Sequence, residues 1–391
     1  ENFRPGVMEK LKLDWNTLNK VNKKIIMARI SGYGQNDSTV SRQAFDATVQ
    51  AETGYMHISG HDNKPTMIGT VFLDYTTGLN TAIGYNAALS MTTGVQNVII
   101  GAQAGDALTN ADYNVAVGPY ALTSDTLGSR STAVGFGALV TQNFTTATDS
   151  YNTAVGYNAG TSLTTGTNNT IMGSTAGDAL TDADNNVAFG HLSLTTDTLG
   201  SRNTALGYAT LQNQNFTTAT NSNNTAVGYA AGSALTTAQE CTLIGSRAGM
   251  AITDANDNVA VGYRALENET RGSRNTAIGH DALGTQNTTT STAIYNTAVG
   301  HTAGTSITTG QENTLIGGLA GDALTAANYN VTVGYATLSA DTLGSRSVAI
   351  GFEALTTQNF TTATNAYNVA IGFQAGHDIT TGQQNTIIGG L

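Results

Sequence analysis

The sequence is poor in most of what an enzyme or a secreted disulfide scaffold carries. Of 391 residues, one is cysteine and three are proline, and only 11% are charged. A single thiol, Cys241, excludes an intrachain disulfide and leaves redox compartment unread. No apolar run approaches the roughly 20 residues that span a bilayer as a helix, so membrane insertion is not expected. All six lysines precede residue 80. Up to residue 79 the formal charge is +1, and from residue 80 onward it is −12. An acidic, lysine-free body repels nucleic acid and anionic lipid, so no nucleic-acid partner is expected. The chain opens at Glu1 rather than Met, and so reads as processed, truncated or part of a longer frame.

What is abundant is glycine, 45 residues, with much Thr, Asn and Ala. That composition suits repetitive β-structure better than a disordered chain, which would be richer in charge and proline. From Asn80 the pattern [NSC]-[TV]-x-[apolar]-G recurs 18 times. Module lengths run 17, 17, 17 and 21, so the cycle restarts every 72 residues at Asn80, Asn152, Asn224, Asn296 and Asn368. Such a period predicts a mainly β protein: a parallel β-solenoid (β-roll) of about 18 coils over residues 80–391, about 85 Å long, after a small α/β segment at 1–79.

Each module reads as a "TAVG" strand ended by glycine, then a second strand such as "NAGTSL", then a turn. The glycine implies φ > 0 or a corner too tight for a Cβ. Asparagine opens 15 of the 18 modules, the exceptions being Ser131, Cys241 and Ser347. Stacked asparagines can bond amide to amide without any ligand.

In "TAVG" the two central residues point to opposite faces and both are apolar, as in Ala154/Val155. A strand apolar on both faces is buried on both. The expectation is a homotrimer, with the small residue at the chain–chain contact and the larger one in the coil's own core.

The repeats "NTAVGYNA", "NTAIGH" and "NTALGYATL" resemble the head repeats of trimeric autotransporter adhesins and matching repeats of phage tail fibres. The resemblance implies a trimeric β-roll on a virion or cell surface, with a receptor or glycan as partner. Residues 1–79 differ in kind: "ENFRPG" and "RQAFDATVQAETGYMHISG…GTVFLDYTTGL" resemble the type III CoA-transferases. That resemblance puts Asn2 and Arg4 near the CoA site. It makes Asp74 the nucleophile, which passes through an anhydride and an aspartyl-CoA thioester. The stretch "TTGLNTAIGYNAAL" serves both resemblances, helical in one and a strand in the other.

Other candidate chemistry reads as structural. Asp178, Asp182, Asp184, Asp254 and Asp257 lack the spacing of a calcium loop and read as solvated turns. Arg130, Arg202, Arg274 and Arg346 each follow an acid by five residues (Asp125, Asp197, Glu269, Asp341). They read as exposed ion pairs worth under about 1 kcal/mol. The six histidines show no metal spacing, so no metal is expected. A T-x-T ladder for ice binding is missing.

Together these readings predict a non-catalytic fibre or adhesin segment with no cofactor and no working catalytic residue. Its CoA-transferase-like start would lack the shell that a nucleophile needs. The alternative is a type III CoA-transferase fragment acting through Asp74, with CoA as its substrate, in the cytoplasm.

Overall fold

In the computed structural model, residues 7–22 and 80–390 are described, and the chain divides into two compact units, Glu1–Tyr85 and Asn86–Leu391. In the first unit, α1 (Val7–Lys10) and α2 (Trp15–Val21) are short, and α2 buries none of its residues. What fixes its start is a cap. Asp14 accepts the Thr17 amide at 3.1 Å and the Thr17 hydroxyl at 2.7 Å. These bonds hold the Asp14 carboxyl below its usual range.

The expected solenoid is the architecture found. One parallel sheet of 18 three-residue strands is built from the "TAVG" segments. Its register never slips: Thr153, Ala154 and Val155 face Thr170, Ile171 and Met172, and across a 21-residue coil Thr132 still faces Thr153. The four extra residues are therefore absorbed elsewhere, at a wide corner. There two-residue strands pair, as Gly128–Ser129 with Thr148–Asp149.

Two expectations are corrected. The middle residue of the strand faces the coil interior whatever its size: Ala154, Ala205 and Ala298 are fully buried, as are Ile99, Ile171 and Leu243, while Ile83 and Ile244 face outward. In "TAVG" itself the larger residue therefore lies on the outside. Alternation defines two faces but does not label them when both are apolar. Also, "NAGTSL" is not a strand. It is a run of tight turns whose residues alternate into the left-handed region, with Asn158 at φ 52° and Gly160 at φ 58°. Turn bonds from Ala159 to Gly156 and from Leu163 to Gly160 hold it, and Leu163 drops into the core. Burying one such leucine stabilises by roughly 1.5–3 kcal/mol.

The strand-ending glycine meets both of its expected reasons. Gly156 has φ 142°, and a Cβ there would lie 2.5 Å from the Gly173 carbonyl oxygen of the next coil. Backbone lies directly on backbone at this corner.

Candidate functional site

Asp74, Asn2 and Arg4, the positions singled out for acyl transfer and CoA contact, lie outside the described residues. Of the stretch shared by the two resemblances, residues 81–83 form a strand.

The polar side chains that the coils do organise begin with the asparagine column. Asn152 Nδ2 donates to the Gly166 carbonyl at 2.7 Å, and its Oδ1 accepts the Asn169 amide at 2.9 Å. Asn169 repeats both bonds one coil on, to Ala183 and from Asn186. Each buried amide thus ties its own coil to the next, which supplies the partners a buried polar group requires. Cys241 stands in this column. Its amide donates to Asn224 Oδ1 at 3.0 Å and its Sγ lies 3.3 Å from the Ala255 carbonyl oxygen. Burial pushes the thiol up to about 12, which removes it as a nucleophile at neutral pH.

Joined to the asparagine column are the four acids that recur every 72 residues. Asp125, Asp197, Glu269 and Asp341 are fully buried. They do not pair with the arginines five residues on, which corrects the sequence expectation. Asp125 Oδ1 accepts the Gly128 and Phe144 amides at 3.0 and 3.1 Å, and its Oδ2 accepts Gln142 Nε2 at 2.6 Å. Gln142 Oε1 in turn accepts Asn152 Nδ2 at 2.9 Å. Carboxylate, glutamine and asparagine form one chain that pins the wide corner. Burial pushes the Asp197 carboxyl above its ordinary value, against opposing bonds from Phe216, Gln214 and Gly200. With both oxygens engaged, these acids clamp the fold and have no free oxygen to offer a substrate.

The arginines lie outside. Arg130 packs over Tyr113, 4.7 Å from the ring centre, and meets Asp149 at 3.1 Å. Arg346 repeats the stacking on Tyr329 at 4.5 Å and bonds Asn365, and Arg274 meets Asp257 at 3.4 Å. Two of the turn aspartates accept hydrogen bonds from the preceding coil, Asp182 from Thr165 at 2.8 Å and Asp184 from the Thr167 amide at 2.7 Å, while Asp257 accepts from Arg274 of the following coil. Among the described residues no group of His, Cys, Asp and Glu is arranged to hold a metal ion. His280 and His301 instead stack ring on ring, 5.0 Å apart. Sequence reasoning missed the buried acids. The available signal was the glutamine 17 residues after each acid, at the period of the coil.

Comparison with known proteins returns to the start of the chain. A family described as CoA-transferase family III matches residues 1–161. An acyl-CoA transferase of Fusarium pseudograminearum (strain CS3096) is 40% identical over 80 residues, 20% of this chain and 18% of that protein. The beta subunit of succinyl-CoA–L-malate CoA-transferase of Chloroflexus aurantiacus is 41% identical over 91 residues, 23% of this chain and 22% of that one. Acetyl-CoA:oxalate CoA-transferase of Acetobacter aceti is 43% identical over 70 residues, 18% of each. The chain spans about a fifth of the length of these relatives.

These matches overturn the expectation of a non-catalytic fibre or adhesin segment, and with it the expectation that the chain is not an enzyme. The similar proteins are named as acyl- and CoA-transferases, and the family match runs on past residue 79 into the coils. The resemblance of the repeats to adhesins and tail fibres finds no support in them. The physical reason is plain in the structure: the asparagine and glycine of "NTAVG" serve the coil's own ladder and corner. A repeat dictated by coil geometry identifies a fold and leaves function open.

Proposed function

We propose that this chain takes part in CoA transfer between an acyl-CoA and a carboxylate acceptor, with Asp74 as the acyl-accepting nucleophile. The observation that carries the reading is the family III likeness across residues 1–161, with 40–43% identity to the relatives named above. CoA enters as substrate, with Asn2 and Arg4 as the residues proposed to contact it. In the proposed cycle the Asp74 carboxylate attacks the thioester carbonyl, the C–S bond breaks and CoA leaves as thiolate, giving a mixed anhydride. The thiolate then attacks the aspartyl carbonyl, releasing the first acid and leaving an aspartyl-CoA thioester. An incoming carboxylate attacks the aspartyl thioester carbonyl, the C–S bond breaks and CoA leaves again as thiolate, giving a new anhydride, and that thiolate attacks the acceptor's carbonyl. The acceptor leaves as its CoA thioester and Asp74 is restored.

The test is incubation of the full chain with succinyl-CoA or acetyl-CoA, trapping with hydroxylamine or borohydride, and peptide mass spectrometry. Modification at Asp74 that is absent from Asp74→Ala is the expected result. An unmodified Asp74 with every thioester tried would overturn the proposal.

A further inference from the structure

The residues that immediately precede the asparagine column form an exposed column of their own. Tyr329, Arg346 and Tyr367 are successive members of it, each in the left-handed region, with φ of 61°, 64° and 51°. Their side chains stack although 17 residues separate the first pair and 21 the second, because the wide corner absorbs the difference. The guanidinium carbon of Arg346 lies 4.5 Å from the Tyr329 ring centre and 5.9 Å from that of Tyr367. A cation within about 6 Å of a ring face is attracted by it. Here a ring stands on each side, which orients the plane of the fork. Asn365 Oδ1 accepts from Nε at 3.2 Å. Nη1 and Nη2 are left with no hydrogen-bond partner among the described residues, although each carries two N–H groups.

The equivalent arginines of the other cycles show what is particular here. Arg130 has the same two rings, Tyr113 and Tyr151, but its Nε meets the Asp149 carboxylate at 3.1 Å. Arg274 has one ring, Tyr295, and pairs with Asp257 at 3.4 Å. Arg202 has Asn185 and Asn223 in the two ring positions. Of the four, Arg346 alone combines two rings with a neutral acceptor at Nε, and it makes no ion pair among the described residues. Both acids around Arg130 are replaced in its cycle: Asn328 stands where Asp112 does, and Asn365 where Asp149 does. Asp341 is buried and engaged by Gln358. Glu312, in the same column, is two coils away, about 10 Å, beyond the ~8 Å over which exposed charges act at physiological salt. The guanidinium is therefore oriented and uncompensated. That combination suits a carboxylate or phosphate, which takes two parallel N–H bonds from the fork.

We propose that Arg346, held between Tyr329 and Tyr367, is a binding site for a small oxyanion, a carboxylate or a phosphate. Its Nη edge takes two oxygens of the ligand, and the rings flank the pair on either side. The site stands apart from the CoA-transfer reading. Its test is phenylglyoxal labelling of the full chain, read at each arginine by peptide mass spectrometry. Acetate and inorganic phosphate are the probes, with ionic strength matched by chloride. Labelling of Arg346 should slow about threefold once the anion stands at twice its dissociation constant, while Arg202 labels at an unchanged rate. Slowing by one anion and not the other supports the site and names its ligand class. Asn365→Asp sets the carboxylate of the first cycle beside Arg346, at an exposed position, and should remove the protection. Equal slowing at Arg346 and Arg202, or no slowing at Arg346 with either anion, would overturn the site. So would a folded Asn365→Asp protein that is protected as well as wild type.

Discussion

Three of the four 72-residue cycles close their wide corner one way and the third closes it another. In the first cycle Asp125 accepts from Gly128, Phe144 and Gln142, and the Phe144 ring covers Gly128, with Cδ2 2.8 Å from where a Cβ would stand. The fourth cycle repeats this with Asp341, Gly344 and Phe360. The third has Glu269, which accepts from Gly272 at 2.7 Å and Gln286 at 2.7 Å, but Thr288 stands in place of the phenylalanine. The lost volume returns from another position. Ile294, where the other cycles have Ser150, Ser222 or Ala366, is fully buried and puts its Cγ1 2.8 Å from the same point over Gly272. A corner built of side chains can thus be rebuilt from different side chains, provided volume and acceptors are conserved.

The opposite corner, at the strand-ending glycine, has no such freedom, and there the comparison breaks hardest. Gly156→Val would force a Cβ against a carbonyl oxygen 2.5 Å away, at φ 142°, where a β-branched residue is strained. No neighbouring side chain can move to relieve it. The expected loss is several kcal/mol, on the order of 3 or more, read as a fall in the denaturant midpoint. A midpoint within error of wild type would show that the coils can part at this corner.

At the clamp the expected loss is smaller and depends on pH. Asp197 uses one oxygen for two amides, so Asp197→Asn must turn an NH₂ toward Gln214 Nε2, whose bond to Asp197 now measures 2.5 Å. Flipping Gln214 only moves the donor–donor conflict to Asn224 Nδ2, 2.9 Å from Gln214 Oε1. One mismatched buried pair costs about 1–3 kcal/mol. Since burial raises the folded carboxyl above its unfolded value, the wild-type contribution of this group is complete below the unfolded value near 3.8 and is lost as pH rises through the folded one. The asparagine does not titrate. The stability gap between the two proteins should therefore narrow as pH rises across that window. A gap that is constant or widens in denaturant melts at a series of pH values would contradict the assignment.

The difference between the corners also explains what could be read in advance. Coil number, the asparagine column and the glycine corner were legible because each is imposed by backbone contacts between successive coils and therefore recurs in every module. The inward residue of "TAVG" was not legible, because both candidates are apolar and size does not separate them: the inward position holds Ala154 in one coil and Ile171 in the next. The acids were misplaced because an acid five residues before an arginine looks like a surface pair. The partners that bury it stand 17 and 19 residues on, as Gln142 and Phe144 do for Asp125. For the proposed chemistry, Asp74, Asn2 and Arg4 were legible only through resemblance. No repeat surrounds them to betray their contacts.

The exchange in the third cycle gives the last and mildest test, because it predicts coupling between two residues six apart in sequence. Thr288→Phe alone would drive a ring into space that Ile294 already fills, an overpacking worth about 1–3 kcal/mol. Ile294→Ser alone would leave a cavity beside Gly272, with a loss of similar size. Together they would rebuild the arrangement of Phe144 with Ser150, in which Ser150 donates to the Ser129 carbonyl at 2.9 Å. Glu269 is longer than aspartate by one methylene, so recovery should be incomplete. The double variant should still lose less than the sum of the single losses, with a coupling of about 1 kcal/mol. Denaturant midpoints of wild type, both single variants and the double variant measure it directly. Strictly additive losses would mean that Phe144 and Ile294 do not compete for one volume, and that the third cycle closes its corner by some route other than exchange.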